Sequence, residues 1–438
     1  MEKTLTDDPG ANPCVGAVAA AELQAIAVAS GLRPWQAGGN TLLPIVQGGM
    51  GVGVSAGGLA GTVAGLGAVG TISSVDLRRH HADLMARTAN VARQSDAKAR
   101  VDAANLEALG REIARARKLA AGRGLVAINV MKAVMEYEHY VRHALACGID
   151  AVVVGAGLPL DLPELARDFP KTALIPILSD ARGVQLLVRK WEKKRRLPDA
   201  IVIEHPRLAG GHLGAAKIAD LGDRRFDFDV VLPEASAFLR SAGLEGRIPL
   251  IPAGGISCLQ DIRRLQALGA AAVQLGTAFA VTKECDAHPE FKRILAGAKP
   301  QDIVEFTSVA GLPARAVRTP WLDRYLRQEE KLKGNAHEQR CNQWFDCLAH
   351  CGLRDGNAAW GQFCIDKYLS HALAGQVNQG LFFRGAGRVP FGTQIRSVQE
   401  LMRWLLGGIL PPGVEENEVD GWPALEYADA LAAAEQEE

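Results

Sequence analysis

Between Pro44 and Leu275 the chain alternates short apolar runs, rich in β-branched residues, with longer stretches in which apolar positions recur at helical spacing. Eight runs read as strands: Pro44–Gln47, Ala68–Ile72, Leu125–Val130, Ala151–Val154, Ala173–Leu178, Ala200–Ile203, Pro249–Pro252 and Ala272–Leu275. They are mostly apolar throughout, as strands of a parallel sheet covered on both faces must be. The segments Gly57–Leu66, Glu138–Cys147, Gly183–Lys193, Pro233–Ser241 and Gln260–Leu268 read as the helices between them. This order predicts an α/β fold, a closed (β/α)8 barrel of the TIM type. A doubly wound open sheet is the alternative, but no Gly-x-Gly-x-x-Gly follows an early strand to support its dinucleotide-binding form.

The link from the second run to the third, about 75–123, is too long and too charged for an ordinary crossover and predicts a helical excursion. Its Glu107, Arg111, Glu112 and Arg115 read as a solvated helix face. After about Phe306 the strand-helix rhythm stops. The chain therefore divides into an N-terminal extension (1–40), a barrel (41–318), a mainly helical C-terminal extension (319–410) and a flexible acidic tail (411–438).

Composition narrows the function classes. With 438 residues, 48% of them hydrophobic, the chain can bury a large core. Basic and acidic residues balance at 49 each, so no global field gathers nucleic acid or an anionic membrane, and neither is expected as a partner. No residue between Arg33 and Asp76 is charged, but glycine recurs through Gly48–Gly70 and breaks what would otherwise be a membrane-spanning helix. The first residues carry Glu2, Asp7 and Asp8 without a basic start or an apolar segment, so a cytoplasmic protein is expected. Homo-oligomerisation stays open.

The candidate chemistry lies where the runs end. In a barrel all strand ends of one polarity meet on one face. Gly48-Gly49-Met50 follows the first run, Asn129 ends the third, Ser179 follows the fifth and Ala209-Gly210-Gly211-His212-Leu213-Gly214 follows the sixth. Gly254-Gly255 follows the seventh and Gly276-Thr277 the eighth. Glycines admit a ligand close to the backbone, and His212 can take a proton near neutral pH. Gly254, Gly255, Gly276 and Thr277 match the loops where barrels commonly hold a phosphate. Met50 offers an apolar surface to a planar ring, opposite that phosphate site. His205 lacks the glycine context and reads as structural. Cys341, Cys347, Cys351 and Cys364 cluster late in the chain, but their spacing is not that of paired C-x-x-C zinc sites. Helical spacing of Cys347 and Cys351 fits a shared buried face, so no metal is expected, with these four the only candidates.

Pro44-Ile45-Val46-Gln47-Gly48-Gly49-Met50-Gly51, Ile128-Asn129-Val130-Met131, Ala209–Gly214, Ile251–Ile256 and Val273–Phe279 stand in the order seen in nitronate monooxygenases, formerly 2-nitropropane dioxygenases, which the chain resembles over roughly residues 40–320. The resemblance implies FMN, with its phosphate at Gly254, Gly255, Gly276 and Thr277 and its ring near Gly49, Met50 and Asn129. It implies His212 as catalytic base, a nitronate or nitroalkane as substrate, and O2 as oxidant. The chain departs from the family just before the histidine, reading Glu204-His205-Pro206-Arg207-Leu208 where relatives often have Gln or Glu, then Gly, and a Glu two residues before the first glycine. Glu204 takes the polar role if Arg207 is an insertion. The same loops also resemble flavin-dependent NAD(P)H reductases of the enoyl-acyl-carrier-protein and quinone types. A non-enzymatic scaffold working through its cysteine-bearing tail is a third reading.

Overall fold

All eight apolar runs form strands within a residue of the expected bounds: β1 (Ile45–Gln47), β2 (Val69–Ser73), β3 (Leu125–Met131), β4 (Ala151–Gly155), β5 (Ala173–Leu178), β6 (Ile201–Glu204), β7 (Leu250–Ala253) and β8 (Val273–Leu275). The computed structural model describes residues 13–89, 96–338 and 346–415. Each strand pairs in parallel with the next, and β8 closes on β1 through Val273–Ile45 and Leu275–Gln47, making a closed eight-stranded barrel. Successive side chains point to opposite faces of a strand, and the two faces join different cores. Ala151 and Val153 of β4 pack inside the barrel, whereas Val152 and Val154 pack outward under the helices. An antiparallel hairpin, Trp35–Ala37 with Asn40–Leu42, plugs the amino-terminal end, its Trp35 and Leu42 sharing the interior cluster.

The β1–β2 seam has a single backbone register pair, Val46–Val69. The buried Gln47 carboxamide extends it, accepting from the Thr71 N–H at 2.8 Å and donating to the Thr71 carbonyl at 3.1 Å.

Helices cover the outside. Ala181–Glu192 starts where Asp180 accepts a hydrogen bond from the Gly183 N–H (2.7 Å) and buries Val184, Leu187, Val188 and Trp191 at one-face spacing. The helix expected at Pro233 begins earlier and runs Phe228–Ser241, with the proline inside it.

The excursion is helical, at Leu77–His80, Ala82–Thr88 and Ala97–Ala120. Its longest helix lies against Gly57–Gly65 so closely that a β-carbon on Gly61 would come within 2.8 Å of the Ala116 backbone. The expected solvated face is only partly so. Glu107 and Arg111 are exposed and ion-paired, but Glu112 is 2% exposed, accepts from the Gly57 N–H at 2.7 Å and pairs with His81 at 3.0 Å. Helical periodicity alone did not reveal that a neighbouring helix start would demand this carboxylate.

Residues 303–317 do not continue the barrel or begin the helical extension. Ile303–Thr307 and Pro313–Val317 form an antiparallel hairpin, and Gly211–His212 adds a third strand to it. Beyond it come helices Pro320–Gly334, Ile365–Leu373 and Val398–Gly407, joined by irregular segments. No described helix is long and apolar enough to cross a membrane.

Asp286 caps the helix beginning at Gly57 from far along the chain, accepting from the Ala56 N–H (2.8 Å) and the Leu59 N–H (3.0 Å). Asp286→Ala leaves these two donors without their acceptor and is expected to cost about 1–3 kcal/mol, read as a lowered urea midpoint with an unchanged slope. A midpoint within error of the parent would show that the cap contributes nothing.

Candidate active site

At the carboxyl end of the barrel the interior-facing position of each strand leaves the apolar core. Continuing the inward parity gives Gly48, Ser73, Asn129, Gly155, Ile177, Glu204, Gly255 and Gln274, one residue at or just past the end of each strand, and all eight line a single cavity of about 640 Å³. That volume is of the size that holds small molecules and cofactors, about 300–1,000 Å³. Every expected site residue lines it: Gly48, Gly49, Met50, Asn129, Ser179, Glu204, Gly210, Gly211, His212, Gly254, Gly255, Gly276 and Thr277.

His212 is held by main chain. Its short strand pairs with Ala314, the Leu213 N–H donates to the Pro313 carbonyl (2.8 Å), and its ring meets Phe383 edge-on at 5.6 Å. Its Nε2 is buried and has no hydrogen-bond partner among the described residues. Burial without a compensating charge pushes the imidazole down to about 4, so it is neutral at physiological pH and able to accept a proton. Behind the loop, the fully buried Arg315 donates to the Pro206 carbonyl at 3.1 Å and to the Ala209 carbonyl, and pairs with Glu305.

His205 is buried and absent from the cavity wall. Its Nδ1 accepts from the Arg207 N–H (3.3 Å) and its Nε2 lies 3.2 Å from Asp227, so both ring nitrogens serve the loop. This is the structural role expected of it.

The glycines answer to the protein more than to a ligand. A β-carbon on Gly210 would collide with the backbone of Arg384 and Gly385, and one on Gly49 with the Asn129 side chain. Gly254 and Gly255 hold φ of +113° and +72°, which L side chains rarely adopt. At Gly276 the nearest atom to such a carbon is the Met50 sulfur, 3.7 Å away. Met50 thus lies beside the β8 loop rather than opposite it, because β8 and β1 are neighbours in the closed barrel.

The extension completes the site with a strap, Arg384-Gly385-Ala386-Gly387-Arg388, whose sequence signal, glycines framed by two arginines, was not used. Arg384 donates to the carbonyls of Leu295, Gly385 and Gly387 at 2.8–3.0 Å, folding the strap on itself. The Gly385 N–H donates to the Thr277 hydroxyl (3.0 Å), the Ala386 N–H to the Leu208 carbonyl (3.1 Å), and Arg388 to the Ser257 hydroxyl (3.0 Å). Thr277 is an acceptor in that bond, which leaves its own hydrogen to offer. The Arg388 guanidinium, the Thr277 hydroxyl and glycine backbone make a donor set suited to a phosphate monoester.

The cysteines divide. Cys347 borders the cavity, Cys351 and Cys364 are buried in the extension, and Cys341 lies outside the described residues. The chain around Cys347 and Cys351 is irregular, so they share no helix face. Among the described residues no group of three or more His, Cys, Asp or Glu side chains converges as a metal site would.

A family model described as nitronate monooxygenase matches residues 39–407. A probable nitronate monooxygenase of Bacillus subtilis is 29% identical over 161 residues, 37% of this chain and 43% of that protein. The nitronate monooxygenase of Pseudomonas aeruginosa is 31% identical over 119 residues, 27% of this chain and 31% of that protein. The chain thus spans less than half the length of these relatives. Among solved structures, FabK from Thermotoga maritima superposes with a TM-score of 0.56 at 21% identity, covering 83% of this chain and 91% of its own. Nitroalkane oxidase from Streptomyces ansochromogenes gives 0.55 at 20%, covering 84% and 95%. At such identities the likeness is one of fold.

Glu204 provides a test of the site's polarity. Burial pushes its carboxyl up to about 7 from 4.5, against the opposing pull of Arg315. The neutral acid therefore favours the folded state; that contribution is complete below pH 4.5 and is lost as pH rises through 7. Glu204→Gln should gain melting temperature relative to the parent between pH 5 and pH 8, and a difference constant with pH would mean that Glu204 ionises as it does in water.

Proposed function

The chain belongs to the nitronate monooxygenase family, and from that premise we propose that it is an FMN-dependent enzyme oxidising alkyl nitronates, and the neutral nitroalkanes they derive from, to a carbonyl compound and nitrite with O2. The observation that carries the reading is the unpartnered, buried Nε2 of His212 on the same cavity as the phosphate-suited strap. Gly254, Gly255, Gly276 and Thr277, with Arg388, would hold the FMN phosphate, and Arg384 would shape the strap beside it; Gly48, Gly49, Met50 and Asn129 would border its ring. Ser179, Gly210 and Gly211 complete the wall around it. When bound, the flavin takes electrons from the substrate and delivers them to O2.

The protein's own residues do the rest. A neutral imidazole accepts the α-proton of a nitroalkane at Nε2, and the imidazolium so formed lies where a nitronate's negative charge would be. The backbone pairing to Ala314 keeps that nitrogen in place through the transfer. Glu204, on the inward face of β6, borders the substrate with a carboxyl that is largely protonated below pH 7.

Two measurements test this. His212→Asn, with flavin content verified by absorbance, should lower kcat/KM for a neutral nitroalkane by about 10²–10⁴ and affect the preformed nitronate much less. The parent's kcat/KM for the nitroalkane should fall on the acid side only near pH 4, where His212 protonates, instead of near 6.5. Undiminished nitroalkane oxidation by the variant would sink the base assignment. A flavin bleached rapidly by anaerobic NAD(P)H and untouched by nitronates would overturn the activity itself.

A further inference from the structure

The cavity is not uniform in chemistry. The cations on its wall, Arg384 and Arg388, belong to the strap packed on Gly255, Ser257 and Thr277, and no lysine lines it among the described residues. The wall that the extension raises elsewhere is apolar: Leu348, Ile365, Leu369, Leu381 and Phe383 come from one packed hydrophobic cluster and all face the cavity. This wall begins at the reacting group, since Phe383 is the ring in edge contact with His212. It is anchored twice, to the barrel where Leu348 bridges Val134 after β3 and to the outer hairpin where Phe383 bridges Ala316. The charged group on the wall beside these residues, Asp366, is an acid whose carboxylate is held by Arg79 at 2.9 Å.

We infer that this wall is a chain-binding chamber, selecting nitronates that carry a neutral, unbranched alkyl chain and rejecting those whose chain ends in a carboxylate. The inference rests on the nitronate reading for the identity of the reacting group but not for the chamber itself. A chain attached at the carbon that faces His212 runs along Phe383 toward Leu369 and Leu348, losing water from each methylene. A terminal carboxylate on the same path would be desolvated against Leu369 and Leu348 and near Asp366, with which the cation Arg79 is already paired, and burying such a charge is costly.

The test uses the flavin-loaded protein and two probe series. For n-alkyl nitronates from ethyl to octyl, kcat/KM should rise about fourfold per methylene until the chamber is full, and a carboxylate-ended nitronate should fall about a hundredfold or more below the methyl-ended chain of equal length. Straight-chain alcohols from propanol to octanol, titrated calorimetrically, should bind more tightly with each methylene, a readout that needs no turnover. Leu369→Trp should lower the ratio of octyl to ethyl kcat/KM by about tenfold; Ile365→Phe serves as a second variant should the first not fold. Nitronates left unoxidised while alcohols still bind with graded affinity would refute the activity and uphold the chamber. Flat chain-length dependence in both series, or a carboxylate-ended nitronate turned over as well as the methyl-ended one, would overturn the chamber.

Discussion

Arg315 is the side chain on which the geometry of the cavity turns. Its guanidinium is buried behind the loop that follows β6 and holds two carbonyls of that loop while pairing with Glu305 on the adjacent strand. A buried cation is tolerated only when its donors are met, so the arginine and the loop constrain each other. The strand that carries Arg315 also pairs with Gly211 and His212. The imidazole is therefore positioned by a sheet that lies outside the barrel, and its depressed basicity follows from the depth at which that sheet holds it.

Two parts of the molecule share the work. The barrel contributes a floor, one inward residue per strand, and the glycine turns above it. The extension contributes the strap and the apolar wall. A buried network joins the excursion to the extension: Asp76 pairs with Arg78 and Arg79, and Arg79 reaches Asp366. That arrangement is balanced in charge, and each member needs the others once water is excluded. The site is thus a seam between separate stretches of chain.

How much of this was legible in sequence follows from the range of the interactions. Strand runs such as Ala151–Val154 are set by burial on both faces and could be read directly. So could the strand-end residues His212, Gly255 and Thr277. Ser73, Gly155, Ile177 and Gln274 were missed although the same inward parity marks them; the signal was present but was not followed past the apolar run. The hairpin at 303–317 was missed because its strands pair with each other and with two residues of a distant loop, and nothing local announces that partner. The glycines at 49 and 210 were assigned to ligand approach, and tertiary packing adds a second demand that the sequence did not show: they make room for Asn129 and for the strap. Glu112 and the irregular chain around Cys347 and Cys351 make the same point, since spacing cannot report what a side chain meets across the fold.

The strap also has a consequence in time. During synthesis the His212 loop leaves the ribosome before Pro313–Val317, and Arg384–Arg388 emerge later still. The barrel itself cannot close until β8 is available to pair with β1. Long-range closures of this kind are slow and leave apolar surface uncovered while they wait. The barrel mouth stays open until the strap and the apolar wall arrive, and those elements are the same ones that complete the cavity. For a nascent molecule, covering the barrel mouth and becoming competent to bind a ligand are one event.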